Sequence, residues 1–485
     1  MALVQSYNFL SGNIPITVNI ETTKNEFVLG YKVSISKISP NTEIILEKIR
    51  DELVEKVKLG VADITDPKKI EFIRGKFKST IIYLINKYLP DITDETKNFL
   101  TTYLMQKSFG LGKVEILMSD PNLEEVVINS SDEPIWVYHH ELGWLKTNIH
   151  LKNEDLIKHY SALIGRRVGR SITLLTPLLD AHLESGDRVN ATLYPISAKG
   201  NTITIRKFAS KAITIVDMIK DGVVSYSSAA LIWTAIQYEL SCLVTGGTAT
   251  GKTSFLGAIC NFLPPNQRII SIEDTQEVKL AKYLHWVPMV TRQANVEGKG
   301  EIKMLDLILN SLRMRPDRII VGEIRRKREA ETLFEAMHTG HSVYATLHAN
   351  DTEETINRLT NPPIDVPKVL IPAISLVVVM YRNRRTGIRR IFQISEVLRD
   401  STYNVLLQLD IKNDKLVSEN KSQRLFPDLE LTTGLKTNEI NESLKEKTQV
   451  LRWLIKNKVE TIDEIGKVVA TYYTNKESLL KFINK

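Results

Sequence analysis

Eight residues constrain this chain more than any others. Gly246-Gly-Thr-Ala-Thr-Gly251-Lys252-Thr253 stands directly after the apolar, β-branched run at 240–245 and directly before an apolar segment of helical character. A chain passes from a buried strand into a helix across so short a loop only if glycines take backbone angles that other residues avoid. The helix must then return over a face of the sheet, which implies parallel strands between layers of helix. In this setting the spacing GxxxxGK[ST] closes backbone amides around phosphate groups, and the helix N-terminus adds a favourable potential. Gly246, Gly247, Thr248, Ala249, Thr250, Gly251, Lys252, Thr253 and the following Ser254 are therefore the expected nucleotide-binding residues. Lys252 is placed to reach the β- and γ-phosphates and the Thr253 hydroxyl to hold Mg2+, so ATP and Mg2+ are the expected ligands.

Further buried, β-branched runs stand at 268–272, 318–321 and 342–347, with helical periodicity between them. One such helix, expected over 302–313, puts Leu305, Ile308, Leu309 and Leu312 on one face. Each run ends in polar residues, at the strand edge where α/β active sites collect. The first ends in Glu273-Asp274-Thr-Gln-Glu277, the second in Gly322-Glu323 and the third in His348. Solvated loop acids are one reading of residues 273–277. Beside a phosphate loop they become candidates for a base on the attacking water and for Mg2+ contacts. His338, His341 and His348 also admit a zinc reading, which is weak because Cys242 and Cys260 flank the phosphate loop and no fourth ligand has metal spacing. An orienting hydrogen bond from His348 to the γ-phosphate region fits better.

The remaining organisation follows from periodicity. Residues 1–42 mix Thr, Asn, Ser and Pro and read as a flexible or extended lead. Ile44, Ile45, Ile49, Leu53 and Val57 then recur at helical spacing, opening a helical unit over 43–112 that serves either as a self-contained bundle or as a docking module. Short β-type runs alternate with helices over 113–210, an α+β domain. A hinge is expected at 211–228, an ATPase domain at 229–400 and a mostly helical region at 401–485.

At 485 residues the chain has room for two to four domains. Two cysteines are too few for a disulfide framework, which suits a reducing, cytoplasmic compartment. The longest apolar stretch, 369–380, is broken by Pro372 and Ser375 and is too short for a membrane span; nor does the N-terminus read as a signal peptide. With 64 Lys and Arg against 57 Asp and Glu, the net charge of +7 suits an anionic membrane face or nucleic acid and decides neither.

With these residues assembled, the chain resembles the secretion-ATPase superfamily of type II secretion, type IV pilus and type IV secretion motors, and most closely its archaeal pilus and archaellum assembly branch. The likeness rests on the phosphate loop at 246–253, the acidic box at 272–277, Ile319-Ile-Val-Gly-Glu323-Ile-Arg325 and the histidine box at 340–348. Upstream, Gly110-Leu-Gly-Lys-Val, Asp120-Pro-Asn-Leu-Glu and Thr204-Ile-Arg206-Lys207-Phe208 look like the family's N-terminal domain. The resemblance implies an α/β fold in which a RecA-like phosphate-loop domain is preceded by an α+β N-terminal domain and a small helical N-terminal unit. It implies a homo-hexamer that hydrolyses ATP to power filament assembly. Glu277 is then the catalytic base, Glu323 the acid on the Mg2+ side, His348 the sensor, and Arg188 and Arg206 the arginine fingers. The implied partners are a polytopic membrane platform and, indirectly, a pilin or archaellin filament, at the inner face of the cell membrane. The four-cysteine zinc motif of many bacterial pilus motors is missing, and the two ends of the chain match weakly.

Arg382, Arg384, Arg385, Arg389 and Arg390 crowd a hairpin expected around Thr386-Gly387. No aromatic interleaves with them as a base-stacking surface requires, so a solvated or subunit-facing hairpin is expected rather than a nucleic-acid patch. A RecA-like motor translocating nucleic acid, or a type IV secretion ATPase, is the rival reading of the whole chain.

Overall fold

The structure is a computed structural model and describes residues 2–483 except 13, 24–25, 36–39, 57–66, 110, 184, 209–211 and 295–297. Val57, Gly110 and Lys211, used in the sequence reading, lie outside the described residues. The chain divides into two compact units, Met1–Ser210 and Lys211–Lys485.

In the first unit the described strands are β1 (Leu3–Ser11), β2 (Ile14–Glu21), β3 (Gly30–Ile35), β4 (Leu123–Ile128), β5 (Trp136–His139), β6 (Gly143–Thr147), β7 (Leu178–His182), β8 (Arg188–Thr192) and β9 (Thr202–Arg206). They form one sheet in the order β1-β2-β3-β6-β5-β4-β9-β8-β7, antiparallel except for the β3/β6 pair. Of the flexible or extended lead expected over 1–42, the flexible alternative is corrected: the described residues there include three strands of this sheet. Ile14, Ile16, Val18 and Ile20 alternate with polar or small residues along β2, and all four are fully buried. That period of two is a half-buried strand's signature, hidden here in a segment of polar composition.

Among the described residues, helices Pro40–Lys56, Pro67–Tyr88 and Asp94–Phe109 occupy the expected helical region. They do not close on themselves as a bundle. Leu46, Ile49, Leu53, Ile81, Leu84 and Leu104 share one core with the β2 residues and with Val126, Val189 and Ile205 of the downstream strands. Buried Asp120 fastens the same junction, accepting hydrogen bonds from Tyr7 (2.6 Å), from Tyr31 and from the Asn122 N–H (2.8 Å).

The described strands of the second unit are β10 (Cys242–Gly246), β11 (Arg268–Glu273), β12 (His285–Val290), β13 (Arg318–Val321), β14 (Ser342–Leu347), β15 (Leu376–Arg382), β16 (Arg389–Val397), β17 (Tyr403–Asp410) and β18 (Lys415–Ser418). Their order is β12-β11-β13-β14-β10-β15-β16-β17-β18, parallel from β12 to β15 and antiparallel beyond. Every residue of β10, β13 and β14 is buried, because helices cover both faces. Cys242, Val244, Ile320 and Tyr344 enter the core of one face, and Leu243, Ile319, Val321 and Ala345 that of the other. The α/β class, with a RecA-like unit after an α+β unit, is as the sequence predicts.

Two expected boundaries move. Residues 211–228 are no hinge within this unit: helix Ile215–Lys220 buries Ile215, Val216, Met218 and Ile219 in the core. The limit expected at residue 400 falls inside the sheet, since β17 pairs with β16 and β18 with β17. Helices follow from Leu425 to Ile483. No helix among the described residues is long and apolar enough to cross a membrane.

Candidate nucleotide site

β10 delivers the glycine loop to the C-terminal edge of the parallel strands, and helix Lys252–Ile259 leads away from it. Gly246 has φ 149°, and a Cβ there would stand 2.5 Å from the Met380 carbonyl oxygen of β15, so only glycine fits. Ala249 (φ 60°) and Gly251 (φ 90°) complete the reversal. Thr250 Oγ1 donates to the Gly247 carbonyl at 2.9 Å, and Lys252 Nζ donates to the same oxygen at 2.8 Å. Lys252 is 8% exposed; burial lowers its pKa, with Glu323 acting in the opposite direction.

The strand ends beside the loop bring Glu323 and His348 into contact with this lysine's surroundings. His348 Nδ1 lies 3.3 Å from Lys252 Nζ, and its Nε2 lies 3.3 Å from Glu323 Oε1. Burial and the neighbouring Lys252 charge hold the His348 pKa below the usual histidine value, so the neutral ring accepts from the ammonium and donates toward the carboxylate. Glu323 Oε2 alone accepts from both Arg325 Nε (2.9 Å) and Nη2 (2.7 Å), two charge-assisted hydrogen bonds on one oxygen. Arg325 Nη1 reaches Asp274 at 2.6 Å and so ties the acidic box to the end of β13.

The acids at 273–277 separate by environment. Glu273 is 2% exposed, and its Oε1 accepts the backbone N–H groups of Glu277 (3.0 Å) and Val278 (3.1 Å). It shapes the loop from below. Glu277 projects its side chain to solvent beyond that cap. The Thr253 hydroxyl has no hydrogen-bond partner among the described residues and, with the Glu323 carboxylate, offers hard oxygen donors of the type Mg2+ takes. His338 and His341 precede β14 while His348 follows it, about 20 Å apart along a six-residue strand. The three histidines do not converge, and the two buried cysteines are free thiols.

Arg188 and Arg206 belong to the first unit. They face each other directly across β8 and β9, and Glu125 of β4 stands opposite Arg206 on its other side. Two guanidiniums in one cross-strand pair repel unless an anion lies between or beside them. The strand ends that carry them are fixed by Asp187, which accepts from the Phe208 N–H at 2.7 Å, and by Lys207, which donates to the Asp120 carbonyl and which burial pushes down to about 8.

The pattern of the type II/IV secretion system protein family matches residues 170–384. An uncharacterised protein of Methanocaldococcus jannaschii is 34% identical over 264 residues, which cover 53% of this chain and 96% of that one. The chain belongs to the type II/IV secretion system protein family. A second uncharacterised M. jannaschii protein is 35% identical over 326 residues, 67% of this chain but only 58% of the relative's length. A putative conjugal transfer protein of Mycobacterium tuberculosis is 32% identical over 257 residues, 52% of this chain and 72% of the other.

The family match takes in every residue of the glycine loop, the three strand-end clusters and both arginines of the β8/β9 pair. Sequence reasoning missed the part played by Arg325, although its place two residues after Glu323, at a strand exit, is itself a pairing signal. It also treated the five arginines of the hairpin alike, as solvated or subunit-facing. Arg384 and Arg385 are exposed, but Arg390 pairs with Asp414 at 2.7 Å and Arg389 lies against the glycine loop.

Proposed function

We propose that this protein is a Mg2+-dependent ATPase that works as a homo-hexamer and powers assembly of a type IV pilus or archaellum-type filament at the inner face of the cell membrane. One observation carries the reading: a buried lysine within a glycine loop, at the C-terminal edge of parallel strands, meets a histidine that in turn meets a glutamate held by an arginine. In this scheme Gly246, Gly247, Thr248, Ala249, Thr250, Gly251, Lys252, Thr253 and Ser254 bind the nucleotide. Thr253 and Glu323 would hold Mg2+, which when bound neutralises developing phosphate charge. Glu277 takes a proton from the attacking water as its oxygen bonds to the γ-phosphorus and the bond to the β,γ-bridging oxygen breaks, giving ADP and phosphate. His348 orients the γ-phosphate region, and Arg188 and Arg206 supply cations to the transition state as arginine fingers. The partners are a polytopic membrane platform and, through it, a pilin or archaellin filament.

A type IV secretion or nucleic-acid motor is the second reading, favoured by the likeness to a conjugal transfer protein and by exposed Arg384 and Arg385. ATP hydrolysis measured with anionic liposomes and with single-stranded DNA separates the two. Stimulation by lipid and not by DNA is expected; the reverse assigns the chain to the second class. Lys252→Ala is expected to abolish turnover and most nucleotide affinity, and retained affinity by fluorescent-nucleotide titration would overturn the phosphate-loop assignment.

A further inference from the structure

The arginine hairpin contains one residue whose surroundings differ from its neighbours'. Arg389 opens β16, opposite Arg382 of β15, and lies beyond the residues that the family pattern matches. Arg390 beside it is bound by the Asp414 carboxylate. Arg389 has no acidic partner among the described residues. Its Nε donates instead to the backbone carbonyl of Ala249 at 3.3 Å, and its Cδ lies 3.6 Å from where a Cβ would stand on Gly251. The side chain thus rests along the outside of the glycine loop.

Ala249 is the loop's one non-glycine residue with positive φ, a conformation that an L residue keeps only when its surroundings enforce it. The peptide between Ala249 and Thr250 is planar and trans, so its C=O and N–H point in opposite directions. A hydrogen bond that anchors the Ala249 carbonyl toward Arg389 therefore aims the Thr250 N–H away from Arg389. In a loop whose amides cradle phosphate, that is the direction of the ligand.

We propose that Arg389 is a positioning residue of the nucleotide site: by holding the Ala249 carbonyl it fixes the following peptide so that the Thr250 N–H faces a bound phosphate. This deepens the phosphate-loop reading and rests on it. The peptide would serve a phosphate common to nucleoside di- and triphosphates, so ADP and ATP should feel its loss alike. Nothing in this role requires the guanidinium charge, only a donor at the position of Nε.

That requirement gives a sharp test. The amide nitrogen of glutamine stands the same number of bonds from Cα as arginine Nε, whereas lysine has a methylene there and its charge further out. Fluorescent ADP and a slowly hydrolysed ATP analogue would be titrated against the full chain and against Arg389→Ala, Arg389→Gln and Arg389→Lys, with thermal melting as the check on folding. Arg389→Ala should weaken both nucleotides by about ten-fold, a typical return from one well-placed hydrogen bond to a charged ligand. Arg389→Gln should recover most of that loss and Arg389→Lys little of it, and in turnover assays the defect should fall on KM more than on kcat. Unchanged affinity in Arg389→Ala, or rescue by lysine but not by glutamine, overturns the inference while leaving the phosphate loop standing. If the unsubstituted chain binds neither nucleotide, the phosphate-loop reading falls and this inference with it.

Discussion

Lys447 is a lysine with no exposed surface, on helix Thr437–Lys456 in the second unit. Its ammonium donates to Ser443 Oγ at 2.6 Å and lies 6.0 Å from the Trp233 ring centroid and 5.3 Å from that of Tyr472. Glu446 and Lys476, themselves paired at 3.1 Å, are the charged groups that act on it, one raising and one lowering its pKa. Burial dominates and pushes the ammonium from 10.5 down to about 7. Between those two values the unfolded chain binds a proton that the folded chain does not, so stability rises as pH rises through this window and is lost as pH falls through it. At about 1.36 kcal/mol per pH unit the full difference is about 5 kcal/mol. Cation–π attraction to Trp233 and Tyr472, about 1 kcal/mol each at such distances, offsets part of it.

Lys447→Met keeps the volume and removes the charge, and is expected to stabilise the second unit by about 2 kcal/mol at pH 7. Loss of the Ser443 hydrogen bond, about 1 kcal/mol, is included in that figure. By pH 10.5 the advantage should vanish, because wild-type Lys447 is then neutral when folded and increasingly so when unfolded. The assay is urea unfolding followed by tryptophan fluorescence, to which Trp233 contributes directly, run on both proteins from pH 6 to 10.5. The informative quantity is the difference between variant and wild type, in which other titrations cancel. A difference that stays flat across that range would mean that water reaches the ammonium and that the burial argument is wrong.

Other outcomes follow from the site and from the first core. Glu277→Gln should bind ATP nearly as well as wild type and lose about 10²–10⁴ in turnover, the usual worth of a general base; wild-type turnover would pass the role to another acid. Arg188→Ala and Arg206→Ala should each lower turnover by about 10³-fold or more with binding retained, and ATP analogues should promote a six-subunit ring by light scattering. A monomer with full activity would rule out both roles. Ile16→Ala, in the segment read from sequence as a flexible or extended lead, should cost about 2–5 kcal/mol in urea unfolding; a cost near zero would mean that β2 does not belong to the core.

What was legible in the sequence follows from the range of the forces involved. β10, β11, β13 and β14 were visible because strands buried on both faces carry continuous apolar runs, and a run needs no partner to be recognised. β2 is buried on one face only, and β1 beside it is largely exposed, so their signal is an alternation spread over a polar segment. β17 and β18 were missed: they extend the sheet antiparallel beyond the limit expected at residue 400, and β18 is short and mostly exposed, with the composition of a loop. The helices over 43–112 could be found, but not their destination, since an apolar stripe reads alike whether it closes a bundle or covers a sheet.

The carboxylates at the strand ends show the same division at the scale of single atoms. Glu273, Asp274, Glu277 and Glu323 are equivalent as letters near a phosphate loop. Glu273 is taken by two backbone amides, Asp274 and Glu323 are bridged by Arg325, and Glu277 alone projects to solvent with a carboxylate that no described residue engages. A group that must accept a proton from water cannot be saturated by donors, because each hydrogen bond to the charged form lowers its basicity. By that argument Glu277 suits the proposed role of base better than Asp274 and Glu323, which share Arg325, while Glu273 holds the loop through Oε1. Residue type put four candidates at the edge of the sheet; the partners of each oxygen rank them.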